Sequence, residues 1–138
     1  WRGRAAYSQA LGHALTPCAP DLVVLGGFLT LFDVPPDLVG RVLNVHPSLL
    51  PAFPGLHPQR QALAAGVRLS GCTVHLVDEG LDSGPIVVQR AGPVCDGADE
   101  ETLAARILIE EHRAYPEALR RLLSEPWRVA GRRLRFGV

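Results

Sequence analysis

Hydrophobic and polar positions divide the chain into short blocks of contrasting period. From Ala5 to Leu15, Tyr7 is followed by Leu11, Ala14 and Leu15 on one stripe, the spacing of the last turns of an amphipathic helix that ends near Thr16 and Pro17. Asp21 to Gly27 (DLVVLGG) is continuously apolar instead, the sign of a strand buried on both faces of a parallel sheet. Gly26 and Gly27 let the backbone turn sharply or approach a ligand closely. Phe28 to Phe32 reads as a loop, and Pro35 to Val39 as one brief helix with Pro36 in its first turn.

Arg41 to Leu56 (RVLNVHPSLLPAFPGL) is the stretch around which the rest is organised. Residues two apart on a strand share a face, so Asn44 and His46 project together while Leu43 and Val45 turn into packing. Pro47 stops the ladder, and Pro51 and Pro54 keep the following residues irregular, a context that also admits a cis Leu50–Pro51 bond. A polar pair is therefore left at the carboxyl end of a strand beside a loop, which is where open α/β sheets bind ligands.

Pro58 to Ala65 is expected to be a short helix ended by Gly66, and Gly71 to Val77 a strand with Thr73 and His75 on one face and Cys72, Val74 and Leu76 on the other. Only Asp78 to Pro85 separates it from the apolar run Ile86 to Gln89, too short for a parallel crossover, so the two form an antiparallel hairpin. Asp99 to Leu123 is the longest predicted helix, with Leu103, Ile107, Glu111 or Ile109, and Leu119 or Leu122 inward. Trp127 to Val138 reads as a small hairpin turning at Gly131. The pattern is that of a single α/β domain spanning residues 1–138, without repeats or an interdomain linker.

Composition narrows the chemistry. The 138 residues are 47% hydrophobic and 20% charged with no net charge, which points to a small-molecule partner rather than to nucleic acid or a membrane surface. All positive side chains are Arg, which removes Schiff-base lysines and the phosphate lysine of a P-loop. Cys18, Cys72 and Cys95 are an odd number without CxxC spacing, so a reducing, cytoplasmic setting is expected and a disulfide framework is not. The lack of methionine and the start at Trp1 inside helical sequence lead us to expect a chain truncated at its amino end.

Four polar residues stand at strand ends or in the hairpin loop: Asn44, His46, His75 and Asp82. An amide can donate to a developing oxyanion, an imidazole adds charge or a proton, and a carboxylate beside it fixes its tautomer. Singly, each also has a bland reading: Asn44 capping a turn, His46 a satisfied histidine, Asp82 bracing the hairpin turn. His46, His57 and His75 lack ligand spacing, so no metal is expected.

LNVHPSLLPAFPGLHPQRQAL (Leu43 to Leu63), GCTVHLVDEGLDSGPIVVQ (Gly71 to Gln89) and EEHRAYP (Glu110 to Pro116) closely resemble the phosphoribosylglycinamide formyltransferases of purine biosynthesis. HPSLLP is shared with relatives that formylate methionyl-tRNA or hydrolyse formyltetrahydrofolate, whereas PGLH and GCTVH favour the ribonucleotide branch. The resemblance implies the formyltransferase fold, a Rossmann-like, mostly parallel twisted sheet with an antiparallel hairpin. It also implies transfer of the formyl group of 10-formyltetrahydrofolate to the amine of glycinamide ribonucleotide, without a metal, by a monomer or homodimer. The alternatives within reach of the same motifs are another formyltetrahydrofolate-using enzyme and a non-catalytic folate-binding remnant.

Carried over position by position, Asn44, His46 and Asp82 are the implied catalytic set. Phe28, Leu29, Thr30, Leu31, Val77, Asp78, Glu79 and Gly80 would hold the reduced folate; Pro47, Gly55 and Glu111 would serve the ribonucleotide; His57, Thr73 and His75 would stand behind the catalytic groups. The chain departs from the pattern at Thr30, where relatives often carry an arginine, and at Leu108, where they carry a polar residue. The resemblance implies a Gly-Ser-Asn loop that cradles the substrate phosphate, which would be expected in sequence upstream of Trp1.

Overall fold

The computed structural model describes residues 3–28 and 30–138. Its main elements are α1 (Arg4–Leu15), β1 (Val23–Val24), β2 (Val42–His46), α2 (Pro58–Ala65), β3 (Leu69–Leu76), β4 (Ile86–Pro93), α3 (Glu100–Ser124), β5 (Trp127–Ala130) and β6 (Arg133–Phe136), with 3-10 turns at Thr16–Cys18 and Pro36–Leu38. The strands form one sheet in the order β1-β2-β3-β4-β6-β5. It is a mixed sheet: parallel pairing joins β1 to β2 and, through Ile86 and Arg133, β4 to β6, while β2–β3, β3–β4 and β5–β6 are antiparallel. The expected hairpin is thus β3–β4, and its ladder runs four residues past Gln89 to Pro93.

Burial on both faces, expected for the first strand, holds for Val23 only; Val24 is 48% exposed. The apolar run there is covered on one face. Two hydrophobic clusters follow from the alternation. Leu43, Cys72, Val74 and Leu76 meet Leu103, Ile107, Ala114, Ala118 and Leu122 of α3 in the larger one. Val23 and Val42 meet Phe32 and Leu38, with Tyr7, Leu11 and Leu15 of α1 alongside, in the smaller.

Helix α3 begins where Asp99 accepts the Thr102 amide through its side chain while the Thr102 hydroxyl takes the Asp99 amide, so two otherwise unpaired donors are satisfied reciprocally. Its inward stripe contains the expected Leu103, Ile107 and Leu122, and adds two alanines. Ala114 and Ala118 are fully buried and Ile109 is 54% exposed, because the small alanines let the helix lie close to the sheet. Tyr115 on the same helix reaches the carbonyls of Leu25 (2.7 Å) and Leu43 (3.0 Å), tying the ends of β1 and β2 together from below. Burial pushes its phenol pKa well above the ordinary value, so it remains a donor.

The hairpin loop between β3 and β4 is closed by the Leu76 amide on the Pro85 carbonyl (2.9 Å), and Gly84 packs so tightly under it that a β-carbon there would lie 1.7 Å from the Leu76 carbonyl oxygen. Gly84→Ala is therefore expected to destabilise the protein by about 2–3 kcal/mol through forced displacement of the loop. Chemical denaturation measures it; a change below about 0.5 kcal/mol would contradict the close approach.

Candidate active site

The antiparallel register of β2 and β3 sets Asn44 opposite His75 and His46 opposite Thr73. All four side chains therefore occupy two alternate rungs, either side of Val45–Val74, on one face of the sheet. Asp82 comes over them from the hairpin loop, bent by a left-handed backbone (φ 50°) that aspartate tolerates better than most residues. Alternation paired Asn44 with His46 and Thr73 with His75, the resemblance added Asp82 to the same neighbourhood, and in the structure these five lie together.

The carboxylate of Asp82 is almost enclosed and faces three groups. Oδ2 accepts the Gly55 amide at 2.9 Å and lies 3.4 Å from His46 Nδ1; Oδ1 lies 3.8 Å from His75 Nε2. On the far side of its ring, His46 Nε2 contacts the Phe53 carbonyl oxygen at 2.8 Å. A carbonyl only accepts, so that nitrogen carries the proton, and both ring nitrogens can donate only when the ring is a cation. The Phe53 contact thus sets a proton on Nε2, and Nδ1 faces the Asp82 carboxylate.

His75 is arranged the opposite way. Its Nδ1 meets the Leu76 carbonyl (3.1 Å), and Nε2 is buried without a hydrogen-bond partner. Burial, against smaller opposing contributions from the Leu76 hydrogen bond and Asp82, holds its pKa below the usual 6.5, so the ring is neutral with a free acceptor nitrogen. The Asn44 side-chain oxygen, across the same rung, is also buried and unpartnered. Two orphaned polar atoms beside the buried His46–Asp82 contact mark the spot where a polar ligand would complete the hydrogen bonding.

A fully used hydroxyl fixes the floor of the site. Thr73 Oγ1 donates to the Ser48 carbonyl (2.7 Å) and accepts from the Leu50 amide (3.0 Å) and the Gln89 side chain (3.0 Å), while Gln89 also donates to the Leu50 carbonyl (2.8 Å). With Ser48 Oγ on the Ala52 carbonyl (2.6 Å), the proline-rich loop has its backbone pinned at several points, and its Leu50–Pro51 bond is cis. Phe53, Gln89 and Ser48 were not foreseen as parts of the site. Gln89 lies in strand register two residues beyond Val87 and was readable in principle; a backbone carbonyl such as that of Phe53 carries no sequence signal.

The remaining expected residues separate into neighbours and outliers. Gly55 touches the site directly, as the donor to Asp82, and its φ of 80° explains the glycine. Pro47 is half-buried next to His46. Asp78 holds its own loop, accepting the Gly80 amide (2.9 Å) and the Ser83 hydroxyl (2.8 Å), with Glu79 exposed and Val77 packed into the smaller cluster. Phe28 stacks on Tyr7 and meets Phe32 edge-on, while Thr30 and Leu31 are exposed. Leu29 lies outside the described residues.

His57, expected behind the catalytic groups, is instead exposed at the start of α2, its Nδ1 3.5 Å from Glu100. The reason is its left-handed φ of 52°, which sets it at the N-terminus of the helix. Glu111 sits on α3, half-buried without an ion-pair partner among the described residues, and close enough that its charge adds to the burial that pushes the Cys72 thiol up to about 12. Burial also raises the pKa of Glu111 itself.

The geometry is that of an α/β fold that gathers Asn44, His46, His75 and Asp82 at a strand end. Comparison with known proteins identifies the group. The formyl transferase family model matches residues 1–119, and the chain belongs to that family. It is 46% identical over 138 residues to the phosphoribosylglycinamide formyltransferase of Mycobacterium tuberculosis, covering 97% of this chain and 63% of that protein. The crystal structure of glycinamide ribonucleotide transformylase 1 from Symbiobacterium toebii superposes with a TM-score of 0.90 at 49% identity, over 99% of this chain and 65% of that one. A formyltetrahydrofolate deformylase from Pseudomonas syringae shares the fold (TM-score 0.87, 28% identity, 98% and 46% covered). The chain thus spans under two thirds of each. Among the described residues, no helix is long and apolar enough to cross a membrane.

Two outcomes follow from the buried titratable groups. His75 is harder to protonate in the fold than in the unfolded chain, so its contribution to stability is complete above about pH 6.5 and is lost as pH falls. The loss of Tm between pH 7 and pH 5 should be smaller in His75→Asn than in the parent, and an equal or larger loss would contradict the assignment. Glu111 is harder to ionise when folded, so its contribution is present below about pH 4.5 and lost as pH rises. Glu111→Gln should accordingly raise Tm at pH 7; a lower Tm would show that the carboxylate is stabilised there.

Proposed function

We propose that the protein carrying this chain transfers the formyl group of 10-formyltetrahydrofolate to the amine of glycinamide ribonucleotide. The observation that carries this reading is the His46–Asp82 contact, with Asn44 beside it on the same face, in a chain so similar to enzymes of that name. The reduced folate is the formyl donor and supplies the activated one-carbon unit. The orphaned Asn44 and His75 atoms, and the loop from Val77 to Asp82 above them, are a chemically suitable seat for its polar reacting end. On this reading Phe28, Leu29, Thr30 and Leu31 would serve as the other wall of the folate site, and Pro47, Gly55 and Glu111 would serve the ribonucleotide.

In this mechanism Asn44 and His46 donate to the formyl oxygen as the substrate amine attacks, which stabilises the negative charge that develops there. Asp82 keeps His46 cationic and oriented, and passes the proton released by the amine towards the departing folate nitrogen. No metal and no covalent enzyme adduct take part. His75, neutral and with a free acceptor, stands next to that proton path and holds the position of the polar reacting group.

The reading is tested by supplying the intact protein with 10-formyltetrahydrofolate with and without glycinamide ribonucleotide. Formylated ribonucleotide is the expected product, and formate released at the same rate without an amine acceptor would replace this reading with hydrolysis. Asp82→Asn should keep donor affinity within a few fold while transfer slows at least about 100-fold, because the isosteric amide cannot balance the imidazolium. Glu111→Ala should raise the KM for the ribonucleotide more than that for the folate; the reverse order would overturn its assignment.

A further inference from the structure

The terminal hairpin breaks a local rule of sheet design. In the β5–β6 register, Arg128 lies directly opposite Arg135, and Arg133 lies opposite Ala130, on one face of the ribbon. Like charges facing each other across an antiparallel pair are destabilising, and here no acid relieves them: Arg128, Arg132, Arg133 and Arg135 are all exposed and have no ion-pair partner among the described residues. Elsewhere Arg4, Arg60, Arg68, Arg90, Arg113 and Arg121 each hold a carboxylate, while Arg41, Arg106 and Arg120 are scattered, exposed and without an ion-pair partner among the described residues; the ribbon differs in gathering four such arginines on one short hairpin.

The other face of the ribbon has its own task. Trp127, Leu134 and Phe136 are turned inward against the main core, and Arg121 lies over the Phe136 ring at 3.8 Å. The arginine face is therefore held rigidly outward. Strand β5 also ends the sheet, so its outer row of backbone donors and acceptors is open alongside Arg128.

The geometry points to this ribbon as a docking surface for an extended acidic peptide segment that adds a strand to the β5 edge. Side chains two apart on such a strand share the arginine face, and carboxylates there would neutralise Arg128 at once, with Arg135 and Arg133 one strand further, about 5 Å away. Guanidinium forks pair with carboxylates in two parallel hydrogen bonds, which gives the contact direction as well as charge. Single-stranded nucleic acid fits less well, because it needs exposed aromatic platforms and both aromatic rings of this ribbon face inward.

The test titrates the full protein with a synthetic peptide of alternating glutamate and threonine, using a lysine-threonine peptide and a short oligouridylate as comparisons. Amide signals of β5 and Trp127 fluorescence report binding. The glutamate peptide is expected to bind saturably, more weakly as salt rises, and to protect the outer-edge amides of β5 from exchange. Arg128→Glu and Arg135→Glu should each weaken it at least tenfold while leaving Tm equal or about 1–2 °C higher, since each replaces a repulsive cross-strand pair by an attractive one; Arg128→Lys should bind within a few fold of the parent. Equal binding of the lysine peptide, tighter binding of the oligouridylate, self-association through this edge instead of peptide binding, or indifference to both Glu substitutions would each overturn the proposal. Formyl transfer is not part of the readout, so the outcome is independent of the proposed activity.

Discussion

One carboxylate holds the site together. Asp82 takes the Gly55 amide from the proline-rich loop, faces His46 from β2 and approaches His75 from β3, so three segments far apart in sequence converge on two oxygens. The His46–Asp82 contact is almost fully shielded from water, the two side chains being 7% and 12% exposed. The distance of 3.4 Å lacks the alignment of a hydrogen bond, so the contact acts chiefly through charge and leaves the imidazole free to redirect its proton.

The rest of the fold makes that convergence geometrically obligatory. Thr73 spends its one donor and two acceptor positions on the loop that carries the Phe53 carbonyl, and that carbonyl in turn fixes the His46 ring. Gly84, lodged under the Leu76 carbonyl, keeps the hairpin loop close enough for Asp82 to reach over. Tyr115 secures the ends of β1 and β2 from α3. Against this rigid frame stand groups that folding alone would not select: a half-buried Glu111 without a counter-ion, and unpartnered atoms on Asn44 and His75. Sites that bind polar substrates are where such local costs are expected.

Much of this was legible in the chain itself. Alternation placed Asn44 with His46 and Thr73 with His75, and the eight residues from Asp78 to Pro85 required the antiparallel return that carries Asp82 over both. What escaped has physical reasons. Periodicity placed Leu103 and Ile107 inward but left Glu111 or Ile109 open and passed over Ala114 and Ala118, because it weighs side-chain size and cannot see how closely a helix approaches a sheet. His57 was placed near the catalytic groups by motif, but its ring lies exposed at the start of α2 beside Glu100. The Phe53 carbonyl is backbone, and no side-chain pattern reports it.

The central claim is that His46 and Asp82 act as one unit. A double-mutant cycle on formyl transfer with His46→Gln and Asp82→Asn tests it most directly. Strong non-additivity is the predicted result, the double variant losing little more than either single one, with a coupling of at least about 1.5 kcal/mol between the two positions. Additive losses within about 0.5 kcal/mol would contradict the account.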